Sequence, residues 1–164
     1  MQIALGADIR YSSPTCKLSL MEAKWGLVPD MSASITLREL IPIDIAKELT
    51  ITGRTFSGIE AKEMGLVTRV SDDPMTLALD TAKEIVERSP DSVMGCKRLF
   101  QECWTEGDED VCLKKETDIQ RELLGGYNMM IASGKNFGID LVPYKKRKEF
   151  EFNGAEFYGK NNSH

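Results

Sequence analysis

Apolar residues over positions 1–71 come in short bursts that switch between a period of two and one of three to four, and each period predicts a different element. Residues 1–7 form an apolar run rich in small side chains, with no cap and no polar lead-in, so they read as the interior of an element whose upstream residues are missing. Residues 8–13 read as a short strand ending in a Ser13-Pro14 turn. Cys16, Leu18 and Leu20 then alternate with Lys17 and Ser19 as in a half-buried strand. Residues 21–30 contain Gly26 and Pro29 and predict a bent connection, with Glu22 and Asp30 at its two ends and Ser32 as the cap of the next helix. Asp44 predicts the cap of a helix through Leu49 that stops before Gly53, and Ser57-Gly58-Ile59-Glu60 is a capping box for a short helix closed by Gly65. Residues 66–70 predict another strand.

From Asp73-Pro74 the period becomes helical throughout. Leu77, Ala78, Ala82, Ile85 and Val86 share one face, and Ser89-Pro90 opens a second helix marked by Val93, Lys97, Phe100 and Trp104. Val111, Ile119 and Leu123 mark a third, ending at Gly125-Gly126. From Ser133 a tail follows that carries Lys145-Lys146-Arg147-Lys148, and its polar, Gly- and Asn-containing end reads as disordered. The pattern therefore predicts an α/β part with parallel strands and brief connections over residues 1–71, then a helical segment with a polar tail over 72–164.

With 164 residues, 41% of them hydrophobic, the chain suits one domain, or a core with an appendage, with enough apolar material to bury a core. The 21 basic and 26 acidic residues give a net charge of −5, which offers no general attraction to nucleic acid. No apolar run approaches the roughly 18 residues of a membrane span, and the start lacks the features of a signal peptide, so an intracellular, soluble protein is expected, cytoplasmic or, in a eukaryote with a lost transit segment, mitochondrial. Cys16, Cys96, Cys103 and Cys112 include no Cys-x-x-Cys pair, and the single histidine is His164, which predicts free thiols and no metal site. The lack of an internal histidine excludes most Ser-His and Cys-His nucleophile schemes and leaves acid/base work to carboxylates.

Several landmarks, in order and spacing, resemble the crotonase (enoyl-CoA hydratase/isomerase) family: residues 2–10, the loop Glu22…Gly26-Leu27-Val28-Pro29-Asp30, Thr52-Gly53-Arg54, and Ala61-Lys62-Glu63-Met64-Gly65-Leu66-Val67. Ser89-Pro90, Lys97 and Lys146-Arg147-Lys148 extend the likeness over about nine tenths of the chain. The resemblance implies the C-terminal portion of a spiral of strand-strand-helix turns, followed by a helical oligomerisation segment that builds homotrimers or homohexamers. It also implies an acyl-CoA substrate of fatty acid metabolism, lyase or isomerase chemistry, and no cofactor beyond the coenzyme A of the substrate. The family's glycine-rich oxyanion segment is expected just upstream of Met1, and losing one such donor typically costs about 2.7–4 kcal/mol of transition-state stabilisation. Hence little activity is expected of this chain alone.

Within the resemblance, the second of the two glutamates used by hydratases corresponds to Glu22, while the first falls at Gln2, whose amide can hold a water but cannot take its proton. Asp30 stands where some isomerases of the family carry a proton-exchanging aspartate, so Glu22 and Asp30 are the candidate catalytic pair, with isomerisation favoured over hydration. Gln2, Trp25, Leu27, Pro29, Tyr144 and Lys146 are the candidate substrate contacts, Tyr144 for adenine and Lys146 for the phosphates of CoA. Plainer readings stand beside these. Glu22 would be an exposed carboxylate paired with Lys24 or Arg38, Asp30 a cap of the Ser32 helix, Gln2 a helix-surface amide and Trp25 a core residue. Two other functions are weighed as well, a non-catalytic acyl-CoA-binding or assembly subunit and a thioester hydrolase.

Overall fold

The capping box forms as its spacing predicts: the Ser57 hydroxyl accepts from the Glu60 N–H at 3.1 Å, and Glu60 Oε2 accepts from the Ser57 N–H at 2.8 Å. In the computed structural model, which describes residues 1–139 and 142–147, this box starts helix α4, Gly58–Glu63. Before it come α1 (Gln2–Leu5), strand β1 (Tyr11–Ser12), a single 3₁₀ turn (Glu22–Trp25), α2 (Ala33–Leu40) and α3 (Ile43–Thr52). After it come strand β2 (Arg69–Val70), α5 (Pro74–Val86), α6 (Pro90–Cys103), α7 (Glu109–Leu123) and α8 (Tyr127–Asn136). The chain divides into two compact units, Met1–Glu87 and a second beginning at Arg88.

In the first unit β1 and β2 pair in parallel, Tyr11 against Arg69 and Ser12 against Val70. The core beneath them joins Leu5, Leu20, Leu37, Leu49, Phe56 and Leu66, of which Leu49 and Leu66 are wholly removed from solvent. Gly58 permits this closeness, since a Cβ there would lie 2.0 Å from the Ser13 carbonyl oxygen. Asp73 caps α5 by accepting from the Thr76 N–H at 3.1 Å, and the Tyr11 hydroxyl donates to Thr81 Oγ1 at 2.8 Å, which ties α5 to β1 within this unit. No strand follows Val70 among the described residues.

Five local expectations are corrected. The 16–20 segment makes one antiparallel bridge, Leu18 to Phe56, in place of a strand, because the chain turns at Ser13–Cys16 and the Ser19 hydroxyl donates to the Gly53 carbonyl. The strand expected over 66–70 shrinks to two residues because the Leu66 and Val67 N–H groups both donate back to the Ala61 carbonyl. Ser32 precedes α2 at φ +64° with no side-chain cap, and Pro42 rather than Asp44 occupies the N-cap of α3. The tail expected from Ser133 is helical through Asn136, because Ser133 and Gly134 continue the turns that begin at Tyr127.

The second unit is built from caps and polar links. Ser89 caps α6 through the Ser92 N–H at 3.4 Å, and Asp108 caps α7 by accepting from Asp110 and Val111. Gly95 lets α7 approach α6, since a Cβ there would stand 3.1 Å from Ile119 Cγ2. Glu102 links the two helices, accepting from Arg98 on its own helix at 2.7 Å and pairing with Lys115 of α7 at 3.3 Å. The residues expected to be disordered at the end of the tail lie outside the described residues.

Candidate active site

Glu22 opens the 3₁₀ turn, which closes because Gly26 adopts φ +72° and the Leu27 N–H donates to the Glu22 carbonyl at 3.0 Å. This bend turns the Glu22 side chain toward α1. There Gln2, only 6% exposed, donates from Nε2 to Glu22 Oε1 and accepts on Oε1 from the Met31 N–H at 3.0 Å. One buried amide thereby joins both ends of the loop that carries Glu22 and Asp30. Gln2 is not a helix-surface amide, and Glu22 forms no salt bridge with Lys24 or Arg38 among the described residues.

The second carboxylate oxygen, Glu22 Oε2, is buried and has no hydrogen-bond partner among the described residues. Leaving a buried polar atom unmatched typically costs about 1–3 kcal/mol, so such an atom in a native fold is a candidate contact for water, a ligand or a reacting group. Because Gln2 holds Oε1, the arrangement leaves one defined oxygen for chemistry. Asp30 is exposed and provides no side-chain cap to α2. Gln2 therefore brings Glu22 to the backbone of Met31, next to Asp30, while the Asp30 carboxylate itself faces solvent.

The loop between them is strongly apolar on its outside. Trp25 is 78% exposed, which corrects its reading as a core residue, because no described residue covers the outward side of the 3₁₀ turn. Leu27 and Val28 are exposed as well. Pro29 and Val28 border a cavity of about 510 Å³ whose floor is Ala33 and Leu37 of α2 with Ile41 and Ala46, and whose rim includes Arg38 and Lys47. Its apolar lining with few polar groups has the character of a small-molecule pocket.

Tyr144 and Lys146 belong to the second unit. Lys135 Nζ lies 4.8 Å from the Tyr144 ring centroid, and Lys146 is exposed. Sequence reasoning missed the group that anchors this segment. Asn128, 3% exposed, donates from Nδ2 to Asp91 Oδ2 at 2.8 Å and to the Lys145 carbonyl at 3.1 Å, and accepts from the Lys145 N–H at 2.9 Å. An asparagine in the first turn of a helix gives no sign in the sequence of partners seventeen and thirty-seven positions away. Among the described residues no group of three or more His, Cys, Asp or Glu side chains could hold a metal ion.

The enoyl-CoA hydratase/isomerase family profile matches residues 1–127. The enoyl-CoA hydratase EchA19 of Mycobacterium tuberculosis is 37% identical over 103 residues, covering 62% of this chain and 39% of that protein. A carnitinyl-CoA dehydratase of Salmonella paratyphi A is 32% identical over 102 residues, 61% of this chain and 39% of that one. The chain thus spans about two fifths of the length of the curated relatives it matches. Among solved structures, a probable enoyl-CoA hydratase/isomerase from Mycobacterium abscessus superposes with a TM-score of 0.79 at 29% identity, covering 90% of this chain and 59% of that one. An enoyl-CoA hydratase from Bacillus anthracis gives a TM-score of 0.79 at 26% identity, over 86% and 55%. The fold is the mostly helical α/β arrangement of these proteins, and the partial coverage agrees with the C-terminal portion of it.

Proposed function

The chain belongs to the enoyl-CoA hydratase/isomerase (crotonase) family, and on that premise we propose that Glu22 is the proton-transferring carboxylate of an enoyl-CoA site, with double-bond isomerisation favoured over hydration. The observation that carries this reading is the buried Glu22 Oε2, unpartnered while Oε1 is held by Gln2. A carboxylate tied at one oxygen keeps its orientation, so the other can take a proton from one carbon of a thioester-bound chain without paying to find its place. Isomerisation then requires that proton, or another, to be returned at a second carbon. Asp30, at the far end of the same loop, is the second carboxylate for that step.

Gln2 supports isomerisation over two-glutamate hydration. Water addition by two glutamates needs a second proton acceptor, and the Gln2 amide cannot ionise. Its carbonyl oxygen is moreover engaged by the Met31 N–H, so Gln2 acts as a positioning residue for Glu22. Trp25, Leu27 and Pro29 supply apolar contact for the acyl group, and Tyr144 and Lys146 receive the adenine and phosphates of CoA, which is the only cofactor-like group in the scheme. The exposed Val86 of α5, Phe100 of α6 and Trp104 just past the end of α6 support assembly as a homotrimer or homohexamer. Sedimentation as a well-folded monomer would contradict that assembly.

The test is a pair of assays on the intact protein with a 3-enoyl-CoA and a 2-enoyl-CoA. Glu22→Gln is expected to slow isomerisation by about 10²-fold or more, and Asp30→Asn to slow isomerisation while leaving any hydration unchanged. Wild-type turnover that yields only the hydrated product, undisturbed by Asp30→Asn, would overturn the isomerase reading.

A further inference from the structure

The second unit holds a buried polar group that the chemistry above does not use. Asn128 spends both of its amide hydrogens and its carbonyl oxygen on two partners: the Asp91 carboxylate, and the N–H and C=O of Lys145. A side chain that grips both backbone groups of one residue does what a neighbouring strand does, and it fixes that residue's position and direction. Asp91, 6% exposed in the first turn of α6, anchors the Asn128 amide from the other side.

The gripped residue opens the basic run Lys145-Lys146-Arg147. Lys145 Nζ stands 4.1 Å from the centroid of the Tyr127 ring, Lys146 is exposed beside it, and Arg147 reaches Met94 Sδ with Nη1 at 3.8 Å. Lysine and arginine side chains on a free tail spread their charge over many conformers, and holding them together costs both entropy and repulsion. A buried clamp that spends two hydrogen bonds on the Lys145 backbone, with a third to Asp91 as its anchor, holds the start of this basic run in one place, which serves a multiply charged anion.

We infer that Asn128, steadied by Asp91, is a positioning residue that sets segment 144–147 as the edge receiving the phosphates of the CoA carrier. This rests on the reading of the substrate as a CoA thioester. The clamp and the phosphate contact are separable, because pantetheine shares the thiol arm of CoA and lacks its nucleotide phosphates, whereas adenosine 3′,5′-bisphosphate has the phosphates and lacks the arm.

The experiment measures binding of CoA, pantetheine and the bisphosphate to the full chain by calorimetry, together with hydrogen exchange at the Lys145 amide. Asn128→Ala is expected to speed that exchange and to weaken CoA and bisphosphate at least about tenfold, a change of about 1.4 kcal/mol, with pantetheine unaffected. Equal losses for CoA and pantetheine, or faster exchange with CoA affinity intact, would overturn the inference by reducing Asn128 to a structural role. Should Asn128→Ala fail to fold, Lys146→Ala leaves the clamp in place and is expected to show the same selective loss; unchanged CoA affinity there overturns the inference as well. Failure of the substrate reading looks different: the wild type would bind the bisphosphate in an Asn128-dependent way but bind CoA no more tightly than the bisphosphate, which supports the anion edge and removes its assignment to CoA. A wild type that binds none of the three overturns both.

Discussion

The two units of this chain are held by different forces. In the first, Leu20, Leu49, Phe56 and Leu66 are almost wholly withdrawn from water and form one contiguous core. In the second, Ile119 is the one large hydrophobic residue that is buried among the described residues, and apart from Gly95 the other buried residues, Ser89, Asp91 and Asn128, are polar. Apolar burial is non-directional and tolerates an awkward polar atom at its edge, whereas polar links are directional and leave little unmatched. It is consistent with this that the unpartnered carboxylate oxygen lies in the unit with the apolar core, where the free energy of packing can offset it. Among the described residues the second unit leaves no buried side-chain polar atom without a partner, while Phe100 and Trp104 are exposed.

The sharpest way to break this contrast is to remove one buried side chain from each unit. Phe56→Ala is expected to cost about 3–5 kcal/mol in urea unfolding followed by fluorescence, and Ile119→Ala clearly less, because the α6–α7 contact can close over a smaller residue. Equal costs would mean that the second unit has a core as decisive as the first. Gly58→Ala comes next, at about 1–3 kcal/mol, since the added Cβ meets the Ser13 carbonyl and backbone on both sides must shift. A Gly95→Ala change, where the neighbour is the movable Ile119 side chain, is expected to cost less in the same measurement.

Acid should sharpen the contrast with a smaller effect. Burial pushes the Glu102 carboxyl up, but its hydrogen bonds to Arg98 and Lys115 outweigh that and hold it below the ordinary range; hydrogen bonding to Lys114 similarly lowers Asp118. A carboxylate with a depressed pKa contributes stability that is fully present above the usual carboxylate range, about 4, and is lost as the pH falls through the depressed value. Glu60 and Asp73 in the first unit are depressed too, by their capping hydrogen bonds, but they act at helix ends on top of an apolar core. Amide protection, taken relative to intrinsic exchange at each pH, is therefore expected to fall in α6 and α7 before it falls in α3 as the pH drops from 7 to 3. The reverse order would contradict the account.

Residues that announce themselves locally were legible in the sequence. The Ser57 box, the Ser89 cap followed by proline, and the stop at Gly53 all rest on contacts within a few positions, and each formed. What escaped was whatever depends on distant partners. Cys16, Leu18 and Leu20 alternate as a strand does, yet only Leu18 finds a partner, Phe56, thirty-eight positions on. At the candidate site Glu22 was visible from its place in a family-like loop, but its orientation was not, because the Gln2 amide that fixes it lies twenty positions away. Trp25 looked like core for its size and proved exposed, since composition says nothing about whether a turn faces in or out. The Asn128 grip on Lys145 left no trace at all in the pattern.

The central claim is that Glu22 moves protons through the one oxygen that Gln2 leaves unengaged. The most direct measurement is uptake of deuterium from D₂O at the reacting carbons of an enoyl-CoA bound to the intact protein, followed by mass spectrometry, for wild type, Glu22→Gln and Gln2→Ala. The account predicts exchange in the wild type, its loss by about 10²-fold or more in Glu22→Gln, and a smaller loss in Gln2→Ala, where the carboxylate is present but no longer held. Exchange at the wild-type rate in Glu22→Gln would contradict it.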